Sequence, residues 1–553
     1  MAVAATAQAQ VARAVKGKSN REQWASQVEF TLSCLGYAVG LGNLWRFPYL
    51  AYENGGGAFL VPYVAALLLT GLPIFYLELV LGQFSSWGAS ALFGKLVPAF
   101  QGVGWGMVLV SALISVYYNV VIAWILIYLC VSCLALPNGR LMWDRCSDLE
   151  QPQNRWWTSR ACWSERDHKA CLEALNGTEM GSMNWVLLLS LFVAWVLIFL
   201  CLIKGVRSTG KVVYLTATFP YFVLAILLAR GVTLDGASTG LYFYLVPQWK
   251  KLLDPKVWSV AAVQIFYSLG PAFGGLLTMS SYNKFSNNCY KDALVVAFTN
   301  CGTSVVAGTA IFSVMGFMAK QLKLEVSKVV KSGAALTFVA LPAAIVEMPL
   351  SALTAVLFFL MLLTLGLDSQ FVMVETVCTA VMDQWPQLRV SKSRTVAAVC
   401  SAMFLLGVPM CLQWGLFAFE LFNTFSAHVG LLFVALMEFI VVCYFYGFHQ
   451  LKGDIRMMLG AQSGELARWL GPTGHYWRVT WTVTAPLLIA TFIVFTVVDY
   501  SPVKVDRKTE ALPTNGVRIT LPSLVFSSAN GAYINPDCNG SEALDAKSSK
   551  ERF

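Results

Sequence analysis

The chain has 553 residues, of which 57% are hydrophobic and only 12% are charged. Soluble globular proteins carry about 25% charged residues, so this composition excludes a water-soluble enzyme, a disordered protein and a small disulfide scaffold. It predicts a polytopic membrane protein. The net charge of +9 gives no reason to expect a nucleic-acid partner, because the basic residues are scattered singly between apolar runs.

Eleven apolar segments are long enough to cross a lipid bilayer, which takes about 20 helical residues. They lie near residues 31–52, 58–82, 103–134, 184–203, 213–231, 257–282, 292–318, 350–382, 394–412, 415–447 and 478–499. The pattern predicts a cytoplasmic segment 1–28 without a signal peptide, a ten-helix core 29–447, an intracellular loop with an eleventh helix 448–500, and a polar tail 501–553. A twelfth helix is not expected within this sequence.

Basic residues indicate the orientation of the chain. Lys204, Arg207 and Lys211 follow the fourth segment, and cytoplasmic loops are typically rich in Lys and Arg. The loop 135–183 is then extracellular, which agrees with its glycosylation sequon at Asn176.

Two of the predicted spans are interrupted by Gly and Pro. The interruptions cover residues 36–43 in the first span and 268–275 in the sixth. Helix interiors disfavour Gly by about 1 kcal/mol and Pro by about 3, and unwound backbone within a membrane must line protein or a wet cavity. We expect an all-α polytopic membrane protein of two inverted five-helix repeats, with broken helices 1 and 6 and at least one extra C-terminal transmembrane helix. Alternatively, the small residues only allow close helix packing.

Five motifs resemble the neurotransmitter:sodium symporter family, over about residues 20–500. They are Gly36-Tyr-Ala-Val-Gly-Leu-Gly-Asn-Leu-Trp-Arg-Phe-Pro-Tyr49, Glu53-Asn-Gly-Gly-Gly-Ala-Phe59, Gln264-Ile-Phe-Tyr-Ser268, Ser281-Tyr-Asn-Lys284 and Leu365-Gly-Leu-Asp-Ser-Gln-Phe371. Within that family the chain looks most like the glycine and proline carriers.

This resemblance implies two sodium sites made of hard oxygen ligands. The first would use the Ala38 carbonyl with Asn43, Ser268 and Asn300. The second would use the carbonyls of Gly36, Val39 and Leu365 with the side chains of Asp368 and Ser369. A carboxylate inside an apolar helix is costly unless it is paired; the alternative is a protonated, hydrogen-bonded Asp368.

The resemblance also implies a chloride site. Chloride-independent bacterial relatives carry a carboxylate on the seventh span, where this chain has the neutral Ser304. A chloride ion would compensate part of the sodium charge in a site of low dielectric constant. Its predicted ligands are Tyr63, Gln264, Ser268 and Ser304.

Charge balance suggests the substrate class. Monoamine carriers of the family have an Asp on the first span where this chain has Gly40, so the substrate should bring its own carboxylate. Matching positions imply a binding site of Ala38, Gly42, Tyr118, Tyr267, Gly270, Phe273, Ser369 and Met373. Small neutral amino acids such as glycine or proline fit best, and carriers of the GABA and betaine type are the alternative.

The resemblance further implies two gates and one disulfide. The outer gate would consist of Arg46, Phe273 and Asn423, where the family has an Asp in place of Asn423, with Glu420 as a substitute acid. The inner gate would consist of Arg21, Trp24, Tyr282 and Asp383. A disulfide between Cys162 and Cys171 would leave Cys146 over.

We therefore expect a multi-pass plasma-membrane protein that couples amino-acid entry to sodium and chloride. The ions would be co-transported ligands, with no resident cofactor, and a homo-oligomer is left open. A non-transporting regulatory member of the family is the competing hypothesis, prompted by Asn423 and the missing twelfth span. An enzyme is not expected, because the chain has only four His and no nucleophile–base constellation.

Overall fold

The computed structural model describes residues 23–137, 139–141, 143, 182–203, 206–321, 323, 326, 337–338, 341–346, 348, 350–412, 415–426, 429–460 and 464–498. Apart from one isolated bridge between Met183 and Leu412, the regular structure in these ranges is helical. The predictions for Arg21, Cys162, Cys171, Asn176 and the tail 501–553 fall outside the described residues.

Nine helices in the described part of the chain are long and apolar enough to cross a membrane. They are span 2 (Gly56–Ser85), span 3 (Pro98–Ala135), span 4 (Trp185–Leu202), span 5 (Gly210–Val232), span 7 (Cys289–Gln321), span 8 (Ser351–Gln384), span 9 (Pro386–Cys411), span 10 (Ala418–Leu459) and span 11 (Glu465–Val498). Short helices at Ala89–Leu96, Ala237–Leu245 and Leu341–Val346 lie between them. The expectation of an all-α polytopic membrane protein is confirmed.

Spans 1 and 6 are both broken, at the positions that the sequence predicts. Span 1 consists of the helix Gln27–Ala38, a π-helical turn Gly42–Arg46 and the helix Phe47–Glu53. Span 6 consists of the helices Pro255–Leu269 and Gly275–Ser280. These two spans complete the predicted eleven, whereas the inverted-repeat relation between the two halves remains a prediction.

The helices Gln27–Ala38 and Gly275–Ser280 are the inner halves of spans 1 and 6. Spans 3 and 8 pack along one another, and the inner half of span 6 lies against spans 2 and 8. Span 2 is the most enclosed of the continuous spans and span 11 the least. A helix that is apolar on all sides must bury every face in protein or in lipid, so span 11 offers most of its surface to the lipid.

The break in span 1 is stabilised by Asn43. Its Oδ1 accepts a hydrogen bond from the Gly40 N–H at 3.2 Å, and its own N–H donates to the Gly40 carbonyl at 3.2 Å. Val39, just after the first helix, has φ −87° and ψ 90°. The backbone therefore leaves the helix at Val39, and Asn43 closes the turn that follows.

The break in span 6 depends on left-handed backbone. Gly270, Ala272 and Gly274 have φ of +65°, +63° and +77°, a region that Gly adopts without strain and that other residues seldom adopt. Ala272 is therefore a strained position, which persists only where its surroundings fix it.

Three side chains satisfy the polar backbone groups of this break, one each from spans 1, 2 and 3. The Tyr37 hydroxyl donates to the Gly270 carbonyl at 2.9 Å, the Ser111 hydroxyl donates to the Phe273 carbonyl at 2.6 Å, and the Glu78 carboxylate accepts from the Ala272 N–H. In a membrane an unpaired peptide group costs several kcal/mol, so these three hydrogen bonds stabilise the unwound backbone of span 6.

Candidate functional site

Asn43, Ser268, Asn300 and Ser304 converge from spans 1, 6 and 7. The Asn43 Nδ2 donates to the Asn300 Oδ1 at 2.8 Å, to the Ser304 Oγ at 2.8 Å and to the Ser268 Oγ at 3.2 Å. The four side chains are at most 3% exposed. Three of the predicted ligands of the first sodium site therefore lie together, and the fourth, Ala38, ends the helix next to the break.

The predicted chloride ligands lie beside this cluster. The Tyr63 hydroxyl is 3.3 Å from the Ser304 Oγ, and both residues are fully buried. Gln264 is fully buried too, and neither its Nε2 nor its Oε1 has a hydrogen-bond partner among the described residues. A buried amide without a partner costs about 1–3 kcal/mol. An anion here would accept from the Gln264 N–H and from the Tyr63 and Ser304 hydroxyls, so this group of donors fits a chloride site.

Asp368 marks a second cluster, between spans 1, 5 and 8. Its Oδ1 accepts from the Thr216 hydroxyl at 2.6 Å, while its Oδ2 has no partner in the described part of the chain. A Cβ added to Gly36 would overlap that Oδ2, so the carboxylate faces the span 1 backbone directly. A buried carboxylate oxygen without a partner, beside the last helical turn before the break in span 1, fits a cation such as sodium.

Thr216 is a residue that the sequence analysis missed. Its only signal was a hydroxyl within the apolar fifth span, and such residues usually bond to their own helix. Thr216 does so, at 3.1 Å to the Val212 carbonyl, but it also reaches Asp368. Two other predicted ligands of this site, Ser369 and Leu365, are near Asp368 in the sequence. Ser369 donates to the Tyr37 carbonyl at 3.2 Å, and Leu365 lies buried one helical turn before Ser369.

Gly40, Tyr118 and Ser369 meet between the two ion clusters. A Cβ on Gly40 would lie 2.9 Å from the Ser369 Oγ and 3.4 Å from the Tyr118 hydroxyl. That hydroxyl has no hydrogen-bond partner among the described residues, and a Cβ on Gly42 would meet no atom within 4 Å. Tyr118 and Ser369, two predicted substrate-binding residues, therefore meet at Gly40, near the open space beside Gly42.

Three further predicted substrate-binding residues are Gly270, Phe273 and Met373. Phe273 and Met373 are buried, at 5% and 3% exposure. The space beside Gly270 is occupied by Tyr37, because a Cβ on Gly270 would lie 2.6 Å from the Tyr37 hydroxyl oxygen. Tyr37 is not among the site residues predicted from the sequence, since its neighbours Gly36 and Ala38 supply the expected carbonyls.

At the predicted outer gate, Arg46 stacks on an aromatic ring. Its guanidinium carbon lies 3.8 Å from the centre of the Tyr267 ring, a cation–π contact that is worth about 0.5–2 kcal/mol. Glu420 is partly buried and Asn423 is exposed. Within the residues described, Arg46 and Glu420 do not form an ion pair in this state.

We predict that Glu420 pairs with Arg46, directly or through water, when the outer gate closes. Removing one member of a desolvated pair costs about 2–5 kcal/mol, so Glu420→Gln should lower substrate uptake at least about tenfold. Asn423→Asp, which adds the acid one turn away, should be tolerated or increase uptake. Radiotracer uptake in cells measures both, and full activity of Glu420→Gln at wild-type surface expression would contradict the pairing.

At the predicted inner gate, Trp24 and Tyr282 are held together. The Trp24 indole donates to the Met279 carbonyl at 3.0 Å, and the Trp24 N–H donates to the Tyr282 carbonyl at 3.2 Å. The Tyr282 hydroxyl donates to Glu375 on span 8 at 3.0 Å. These contacts join the inner halves of spans 1 and 6 to span 8.

Asp383, the predicted acid of the inner gate, lies at the end of span 8. Its Oδ2 accepts from the Gly88 N–H at 2.8 Å, and its Oδ1 forms an ion pair with Arg389. The carboxylate therefore binds the loop between spans 2 and 3. Its predicted partner Arg21 precedes the described residues.

The sequence matches the Sodium:neurotransmitter symporter family over residues 21–529. It is 41% identical over 523 residues to sodium- and chloride-dependent glycine transporter 2 of Xenopus laevis, in an alignment that covers 87% of this chain but 65% of that protein. It is 42% identical over 514 residues to glycine transporter 1 of the same organism, covering 87% and 79%. For GABA transporter 2 of Bos taurus the identity is 40% over 510 residues, covering 89% and 82%.

The family and these relatives are transporters, which confirms the expectation of a transporter rather than an enzyme. Nine continuous spans in the described ranges agree with a multi-pass membrane protein. The chain belongs to the sodium:neurotransmitter symporter family.

Proposed function

We propose that this chain carries a small neutral amino acid, such as glycine or proline, into the cell together with sodium and chloride. The observation that carries this proposal is the meeting of Gly40, Tyr118 and Ser369 at one point. Two hydroxyls and a glycine there provide donors and no side-chain carboxylate. A carboxylate at this point must then come from the substrate.

Coupling to sodium is supported by Asp368. Its Oδ2 is buried, lies against Gly36 and has no hydrogen-bond partner in the described ranges. A cation that binds this oxygen would also connect the span 1 break to span 8. Sodium binding would thereby favour one arrangement of these two elements, as symport requires. Each charge that enters with the membrane potential contributes about 2.3 kcal/mol per 100 mV.

Coupling to chloride is supported by the neutral donors around Ser304. The residue is fully buried, and it contacts Asn43 and Tyr63. Because no acid occupies this position, we expect uptake by the unmodified protein to need chloride. Ser304→Glu would place a fixed negative charge beside Asn43 and should remove that requirement.

Uptake in chloride and in gluconate media checks this prediction. We expect the wild type to lose most of its uptake in gluconate, and Ser304→Glu to take up substrate at similar rates in both media. Ser313→Ala is a matched control, because Ser313 is a fully buried residue of the same span that donates to its own helix. Chloride-independent uptake by the wild type would contradict the chloride site.

The substrate is tested with a panel of labelled amino acids. Glycine, proline, GABA, betaine and dopamine are offered with and without sodium. We expect sodium-dependent uptake of glycine or proline, and no uptake of dopamine. Uptake of GABA alone would favour a carrier of the GABA type, the alternative that the similarity to GABA transporter 2 supports. No sodium-dependent uptake of any compound, at normal surface expression, would favour a regulatory member.

We also propose the plasma membrane as the site of action, since uptake of an external amino acid takes place there. Surface biotinylation of intact cells tests the location.

A further inference from the structure

A cavity extends inward from Asp368, between the inner halves of spans 1 and 6 and the inner part of span 8. Four of its lining residues are Ser33, Thr278, Asp368 and Glu375. Each of them has a buried oxygen without a hydrogen-bond partner among the described residues. We call this space the inner cavity. Four unpaired oxygens from three spans around one space are the ligand set that a hard cation and its water prefer.

The two carboxylates of the inner cavity belong to residues that are two helical turns apart on span 8. Asp368 and Glu375 are seven residues apart on the continuous helix of span 8. They therefore lie on the same face, two turns and about 10 Å from each other. Ser33 on span 1 and Thr278 on span 6 lie across from them. The cavity therefore offers two separate cation positions.

Glu375 already has one cationic neighbour. Its Oε1 accepts from the Lys392 ammonium at 3.1 Å and from the Tyr282 hydroxyl at 3.0 Å, whereas its Oε2 is the unpaired oxygen that lines the cavity. Among the described residues around this cavity, two carboxylates and one ammonium leave a net charge of −1. Since an uncompensated buried charge is strongly unfavourable, one monovalent cation neutralises the cavity and a second would overcharge it.

We propose that the Glu375 Oε2, with the hydroxyls of Ser33 and Thr278, forms an inner station for a hydrated sodium ion. The ion occupies either Asp368 or this station, because Lys392 limits the cavity to one cation. Sodium that leaves Asp368 toward the inner face is received by Glu375 before it reaches water. This inference rests on the proposed function only for the sodium ion at Asp368.

The number of bound ions tests the proposal without any transport. Equilibrium binding of radioactive sodium is measured on the purified full-length chain in detergent. Lys392→Gln brings the cavity charge to −2, so it should bind one additional sodium ion per chain. Glu375→Gln brings the charge to zero and should raise the sodium dissociation constant about tenfold. The double variant returns to −1 and should bind as the wild type does.

Lys320→Gln is the matched control, because it removes a lysine from the exposed ion pair with Asp235, outside the inner cavity, and it should leave the count unchanged. Lys392→Arg keeps the charge and should also retain the wild-type count. Loosened packing at Lys392 would not add a bound ion. A larger number of bound sodium ions per chain would therefore result from the lost positive charge and not from disturbed packing.

An unchanged count in Lys392→Gln would overturn the inner station while leaving the proposed symport in place. Absence of any sodium binding to the wild type would overturn both. If Lys392→Gln does not elute as a single species on size exclusion, Glu375→Gln decides, and an unchanged dissociation constant in that variant overturns the station.

Discussion

Gly36→Ala should abolish sodium-dependent uptake and lower sodium affinity at least tenfold. The added methyl group would overlap the Oδ2 of Asp368, the oxygen that we expect to bind sodium. The Asp368 side chain cannot retreat easily, because Thr216 holds its other oxygen at 2.6 Å. The new Cβ must therefore displace either the carboxylate or the span 1 backbone.

Gly302→Ala is a matched control on span 7. A Cβ there would meet no atom within 4 Å, so uptake and folding should stay at the wild-type level. Radiotracer uptake and equilibrium sodium binding measure both variants, with surface expression as the check on folding. Wild-type sodium affinity in Gly36→Ala would show that the Asp368 Oδ2 does not bind the ion.

Gly40→Asp should abolish amino-acid uptake. The new Cβ would lie 2.9 Å from the Ser369 Oγ and 3.4 Å from the Tyr118 hydroxyl, so the side chain enters the place that we assign to the substrate carboxylate. A fixed negative charge at this place repels the carboxylate of a zwitterionic amino acid.

Size and charge are separated by two further variants. Gly40→Asn has nearly the same volume without the charge, and Gly40→Ala adds one methyl group. If charge decides, a cationic amine should bind to Gly40→Asp more tightly than to Gly40→Asn, which competition binding measures. Amino-acid uptake that survives in Gly40→Asp would place the substrate carboxylate elsewhere.

The sequence predicted the breaks better than it predicted the ends of the helices. Gly and Pro clusters carry a local signal, and the breaks lie where these clusters occur. Span 10 was expected to end at residue 447, where the apolar run stops, but it continues through the helix Phe448–Leu459. That helix contains Lys452 and Arg456, yet it buries Leu451 and Ile455 at 1% exposure each. An amphipathic continuation of this kind has no distinct apolar signal.

The candidate site was predictable as far as its residues lie in recognisable motifs. Asn43 lies on span 1, whereas Asn300 and Ser304 lie one turn apart on span 7, and the resemblance alone assigns them to adjoining ion sites. Contacts between isolated hydroxyls and distant spans were not predictable. Thr216 and Ser111 look like ordinary helix hydroxyls in the sequence, and only packing shows that they reach Asp368 and the Phe273 carbonyl.

The unwound part of span 6 also has a consequence for biosynthesis. The side chains that pair with its backbone, Tyr37, Glu78 and Ser111, all belong to the first three spans. A chain made from its N-terminus inserts these spans before residues 270–274 leave the ribosome. The acceptors and donors are therefore in the bilayer before the segment that needs them. A circular permutant that begins with span 6 would have to insert the same segment with its peptide groups unpaired.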